Sequence, residues 1–278
     1  MQTRTRKQAP HFLAPAVAGL LALAVAFLVF SGRGNAQEQA VSLTKAEVEA
    51  AAKQRVLFGH QSVGENILNG VRKLADENNV KLVVMESRSD EGKTPAIFQF
   101  SVGRNGDPLG KIKDFVSTTP SFADIDIATM KICFVDLNRN SDAAAVAKSY
   151  ASAIKDLQRA HPSTRFIAIT SPLTSLSSGA KAWVKNLIRG GSSDLADNAK
   201  RKEFNDYHLR KEFDKDHLFD LAALEAEKVT ADDGKVVEVL RPSLTDDGGH
   251  LNDAGQRLVA SAFIKLLAAQ KPKQHAGN

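Results

Sequence analysis

The chain predicts an α/β fold built on a central, mainly parallel sheet, and two features of its patterning carry that prediction. Short β-rich runs alternate with helical periods, and the runs are almost continuously Val, Ile, Leu and Phe, as suits strands buried on both faces. The predicted strands are residues 55–58, 81–85, 125–135 and 165–169, with a weaker one at 218–221. Between them, Ile67, Val71 and Leu74 share one helical face, as do Val146, Tyr150, Ile154 and Leu157, and later Leu258, Ala262 and Leu266. Helices are therefore expected to cover both faces of the sheet.

Residues 1–36 form a leader: Arg4, Arg6 and Lys7 precede an apolar run over 12–30, and no acidic residue occurs before Glu38. Gly34-Asn35-Ala36 offers the small residues of a cleavage site before Gln37, giving an exported protein, periplasmic or secreted. The alternative is a membrane tether through residues 12–30, although Pro15 interrupts that run and Arg33 follows it closely. Residues 37–54 are a polar helical lead, 55–271 the main domain and 272–278 a polar tail.

Residues 174–197, rich in Ser and Gly, are expected to be an insertion after the fourth strand that shapes access to a site. Its helix-compatible part, 181–188, carries Trp183, expected to pack inward rather than stack on a sugar. The charged stretch 200–216 is expected to be a solvated helix face.

The chain holds 37 basic and 32 acidic residues, and four of the basic ones lie in the first 36, leaving 33 against 32. That balance argues against a nucleic-acid partner, which needs Lys and Arg gathered on one face. A small or uncharged substrate fits better. Cys133 is the only cysteine, so no intramolecular disulfide is possible, and its apolar surroundings mark it as a buried small hydrophobe. Stability must come from a core, which about 240 residues can build.

The chemistry lies at the two ends of the domain. Asp247 stands three residues before His250, ahead of the last amphipathic period, and Asn252 is placed to cap that helix. Far upstream, the apolar run from Val56 leads through Gly59-His60-Gln61 to Ser62 at the mouth of a helix. A serine hydroxyl needs a base to become a nucleophile, and the base needs an acid to fix its tautomer; Ser62, His250 and Asp247 supply that set. The plainer alternative makes Ser62 a helix cap in the box Ser62-Val63-Gly64-Glu65, and makes Asp247 to His250 only a turn. Asp246 competes for the acid role, but the three-residue spacing favours Asp247. His60 is expected either to line the pocket or to assist Ser62 in place of His250. The histidines show no metal-ligand spacing, so no metal is expected.

These residues resemble the SGNH/GDSL hydrolase superfamily over roughly Arg55 to Leu267, most specifically in the terminal Asp247-x-x-His250 signature extended by Leu251-Asn252 and Gly255. The resemblance implies a three-layer flavodoxin-like fold and cofactor-free serine esterase chemistry, with Ser62 as nucleophile, His250 as base and Asp247 as orienting acid. The first block departs from Gly-Asp-Ser, reading Gly59-His60-Gln61-Ser62. The third, normally Gly-x-Asn-Asp, keeps only an asparagine in Val135-Asp136-Leu137-Asn138-Arg139. Asn138 is implied as the side-chain oxyanion donor, with Asn140 as its rival. Gly103 is implied as the backbone donor of the second block, with Gly106 nearly equivalent.

The implied activity is an esterase or O-deacetylase acting on a small-molecule or glycan ester. A non-catalytic glycan-binding or assembly protein, and an O-acyltransferase using the same triad, are the alternatives. Oligomeric state is not legible.

Overall fold

The computed structural model describes residues 42–270, except 91, 93, 178–192 and 232. The leader, Trp183 and the 181–188 segment lie outside the described residues. The elements follow in the order α1 (Lys45–Ala51), β1 (Arg55–His60), α2 (Ser62–Glu77), β2 (Val84–Glu86), β3 (Ala96–Ser101), α3 (Pro108–Thr118), β4 (Ile127–Met130), α4 (Ala143–Ala160) and β5 (Arg165–Ile169). After these come α5 (Ser193–Phe204), a π turn (Asn205–Leu209), α6 (Arg210–Glu212), β6 (Leu218–Phe219), α7 (Leu221–Glu225), β7 (Ala226–Thr230), β8 (Val236–Leu240) and α8 (Asp253–Ala268).

The central sheet is six-stranded and parallel, in the order β2-β3-β1-β4-β5-β6. The fold is the expected flavodoxin-like three-layer arrangement. From β1 the chain first moves outward on one side to β2 and β3, then returns to pair β4 against the other side of β1. That reversal opens a crevice beyond the carboxyl ends of β1 and β4, where ligands bind in open α/β sheets. Ser62 stands two residues after the end of β1.

Alternation along β1 explains its unbroken apolar sequence. Val56 and Phe58 pack with Ile67 and Val71 of α2 and with Val259 and Phe263 of α8. Leu57 faces the opposite layer, with Phe98, Phe115, Val146 and Tyr150. Every residue of β1 is buried.

Helices α2 and α8 carry the serine and follow the histidine, and they meet closely. A Cβ on Gly70 would lie 2.5 Å from the Gln256 carbonyl oxygen and 2.6 Å from Ala260 Cβ. Backbone cannot yield as a flexible side chain does, so Gly70→Ala is expected to lose about 1–3 kcal/mol despite alanine's better helix propensity. Urea unfolding would measure this, and a gain in stability would contradict the packing.

β3 was not among the predicted strands: Gln99, half-exposed between Phe98 and Phe100, interrupts what would otherwise read as a continuous apolar run. The predicted strand 81–85 is only the three-residue edge β2. The predicted strand 125–135 is β4 alone, because the chain turns at Phe134–Asp136 into a 3₁₀ helix in which Asp136 accepts the Cys133 amide. The antiparallel hairpin β7–β8 was also missed, although Asp233-Gly234 lies in its turn and Gly234 has φ +80°.

The charged stretch 200–216 is not simply solvated. Arg201 is 4% exposed, and Phe204, Asn205 and Leu209 are buried. Asn252 caps α8 as expected, accepting from the Gly255 amide.

Candidate active site

The structure brings Ser62, His250 and Asp247 together across 188 residues of sequence. His250 Nε2 lies 3.0 Å from Ser62 Oγ, and His250 Nδ1 lies 2.6 Å from Asp247 Oδ2. Ser62 does not cap α2. The helix begins at Ser62 itself, its N-cap is Gln61 with no side-chain cap hydrogen bond, and Glu65 instead pairs with Arg72. Ser62 Oγ is thereby left to His250. Gln61 is anchored through Nε2, which donates to the Val102 and Gly103 carbonyls, fixing the turn between β1 and α2.

A compact turn holds the acid and base. Asp247 Oδ1 accepts the Gly249 amide at 2.9 Å and the His250 amide at 2.8 Å, while Gly248 adopts φ +90° and donates to Thr245 Oγ1. Partial desolvation works to raise the Asp247 pKa, but the hydrogen bonds from the His250 amide, the His250 ring and the Gly249 amide outweigh it. The carboxyl is held well below the usual carboxylate range. Asp246 is not the partner of His250; its Oδ1 accepts from Asn252 Nδ2.

Two positioning contacts were not read from the sequence. Asn66 Oδ1 accepts the Leu251 amide at 3.2 Å, tying the histidine loop to α2. Asn66 stands four residues after Ser62, so helical spacing was a signal for it. Phe134 sets its ring edge-on to His250, with centroids 5.6 Å apart at 72°, and no local pattern announced that.

Asn138 lines a cleft of about 540 Å³ together with Phe134, Val135, Thr174, Leu176 and His250. Its Oδ1 accepts the Asn140 amide at 2.9 Å, so the donor end of the side-chain amide, Nδ2, is not the end used in that contact. Asn140 thus supports Asn138.

The glycine amides are occupied elsewhere. Gly103, at φ +49°, donates to Asp114 Oδ2 at 2.7 Å, and Gly106 donates to Asp136 Oδ1 at 2.7 Å. An engaged N–H has no donor left for an oxyanion, so neither fits the backbone role that the resemblance implies. The Ser62 and Val63 amides, in the first turn of α2, have no helical acceptor.

His60 does not line the cleft. It is 4% exposed, its ring lies 4.7 Å from that of Phe58, and a Cβ on Gly64 would approach its own Cβ to 2.3 Å. Burial pulls its pKa below the usual imidazole value against the hydrogen bond to the Gln61 carbonyl. The imidazole beside Ser62 Oγ is that of His250, with Nε2 3.0 Å away.

Beneath the cleft lies a buried polar layer. Arg201 donates to the Phe134 carbonyl, Thr174 Oγ1 and Asn198 Oδ1, and burial lowers its pKa to about 10 against the pull of Asp197 and Asp194. Glu225 accepts the Leu173 amide. Burial raises its pKa to about 8 despite that hydrogen bond and the cations Lys131, Arg201 and Arg241.

A carboxyl group raised on folding stabilises the fold fully below its unfolded pKa of about 4.3 and loses that contribution as pH climbs to about 8. Glu225→Gln is therefore expected to gain thermal stability relative to the parent as pH rises from 5 to 9. Parallel melting curves for the two proteins would contradict this. Among the described residues, no group of three or more His, Cys, Asp and Glu side chains is arranged to hold a metal ion.

No protein-family model matches the chain. No curated protein matches it either. Among solved structures it is similar to a protein from Streptococcus pneumonia provisionally named a platelet activating factor, at 13% identity and a TM-score of 0.44, over 80% of this chain and 91% of that one.

Proposed function

We propose that the protein is a serine hydrolase of SGNH type, an esterase or O-deacetylase that cleaves an oxygen ester without a cofactor. The observation that carries this is the continuous hydrogen-bond chain Ser62 Oγ, His250 imidazole, Asp247 carboxylate. Ser62 Oγ attacks the acyl carbon while His250 Nε2 takes its proton, and the C=O π electrons move onto the oxyanion. First-turn amides of α2 and Asn138 Nδ2 stabilise that charge. The tetrahedral adduct collapses as His250 returns the proton to the leaving alcohol, giving an acyl-Ser62 ester. Water, deprotonated by His250, then releases the acid and restores the serine.

The triad is open to solvent, with His250 and Asp247 side chains 42% and 57% exposed, which suits a bulky acylated alcohol such as a glycan. The leader motif supports an exported enzyme, periplasmic or secreted, or one tethered through residues 12–30. Among the described residues no helix is long and apolar enough to cross a membrane.

A panel of acetyl and longer-chain esters, including O-acetylated sugars, tests the activity. Release of free acid by the parent protein, lost in Ser62→Ala, supports it; no turnover on any ester would argue for a binding protein, and acyl-sugar products in place of acid for a transferase. Asn138→Ala is expected to lower kcat by about 10²–10³-fold, the usual cost of one oxyanion donor. An unchanged kcat would remove Asn138 from that role.

A further inference from the structure

We propose that Asp136 is the positioning residue of the loop that carries Asn138, and that Lys111 is the counter-charge holding it in place. This rests on the proposed function, in which Asn138 donates to the oxyanion.

Both side chains are completely buried, and Lys111 Nζ lies 2.6 Å from Asp136 Oδ2. The same carboxylate accepts the Cys133 amide on Oδ2 and the Gly106 amide on Oδ1, each at 2.7 Å. Its three donors come from α3, from the segment after β4 and from the loop after β3. Lys111 also donates to Asn105 Oδ1 at 2.8 Å, so the pair binds the loop after β3 twice.

A buried ion pair contributes little net stability, because desolvation roughly cancels the attraction. Its location is more informative than its energy. Phe134 and Asn138 stand two residues before and two residues after Asp136, and both line the cleft. Phe134 touches His250 edge-on, and the Asn138 backbone amide is held by Ser141 Oγ at 3.0 Å. One carboxylate therefore sets the loop from which the histidine's neighbour and the oxyanion donor both project. A shift of about 1 Å in such a group costs on the order of 10²-fold in rate.

The test is a double-mutant cycle between Asp136→Asn and Asn138→Ala, with kcat and KM measured on a chromogenic acetyl ester and stability by urea unfolding. Asp136→Asn is expected to lower kcat about 10–100-fold with KM nearly unchanged, and to add less than about twofold once Asn138 is alanine. Its stability loss should appear in both backgrounds.

If Asp136→Asn does not fold, Asn105→Ala weakens the same anchor from an exposed position. It is expected to lower kcat several-fold, with the same dependence on Asn138. Additive losses in kcat, or a change confined to KM or to stability, would overturn the proposal. Fluorophosphonate labelling of the parent protein separates the two levels: labelling at Ser62 with additive losses sinks only the positioning role, whereas no labelling sinks the hydrolase and this role with it.

Discussion

His250→Ala is expected to lower kcat for ester hydrolysis by about 10⁶-fold, the order of loss when a serine triad loses its histidine. Among the described residues Ser62 Oγ has one basic partner, His250 Nε2 at 3.0 Å. Without it the hydroxyl must attack while keeping its proton, and the leaving alcohol departs unprotonated. In the proposed mechanism the same side chain serves both half-reactions, so Ser62→Ala should cost about as much as His250→Ala, and the two together little more than either alone. Steady-state kinetics of the three variants would test this. His60→Ala distinguishes the two histidines: buried behind α2, His60 should affect stability far more than the chemical step. A His250→Ala enzyme retaining more than about one hundredth of parental kcat would contradict the assignment.

Asp247→Asn is expected to lower kcat by about 10⁴-fold while leaving the fold intact. In the neutral imidazole the carboxylate accepts from Nδ1–H, the tautomer whose Nε2 lone pair faces Ser62. An amide presenting NH₂ to Nδ1 selects the other tautomer, whose Nε2–H cannot accept the serine proton. The carboxylate is well prepared for this role, since its hydrogen bonds hold the pKa below the usual range.

A depressed carboxyl stabilises the fold above its unfolded pKa of about 3.9 and loses that contribution as pH falls through the lower folded value. Unfolding midpoints of the parent and Asp247→Asn should therefore converge towards strongly acid pH, with the parent ahead at neutrality. Asp246→Asn should leave kcat within about threefold, since the amide oxygen can still accept from Asn252 Nδ2 and only the charge is lost.

The parts of this molecule legible in its sequence are those set by local pattern. β5 occupies the predicted residues 165–169, and β1 starts at the predicted Arg55 and runs two residues further, to His60. Both are buried on both faces and leave an unbroken apolar run. β3 escaped because Gln99 interrupts its apolar residues, and the hairpin β7–β8 because Glu227, Lys228 and Glu238 interrupt its short strands.

The same division runs through the site. Asp247 and His250 lie three residues apart and bond within one turn, so their spacing was informative. Joining them to Ser62 required the α/β topology, which places the end of β1 beside the start of the last helix. Phe134, Asp136 and the engagement of the Gly103 and Gly106 amides depend on which loops meet in space, and no residue spacing encodes that. The Ser62 capping box was present in the sequence but unused, because the serine sits at the first helical position and Gln61 precedes it as the cap.

The most direct test of the central claim is to treat the folded protein with a fluorophosphonate serine probe and map the adduct by peptide mass spectrometry, beside His250→Ala. A single adduct on Ser62 that is lost without His250 is the expected result. No adduct on the folded protein, or labelling of Ser62 that persists undiminished in His250→Ala, would contradict it.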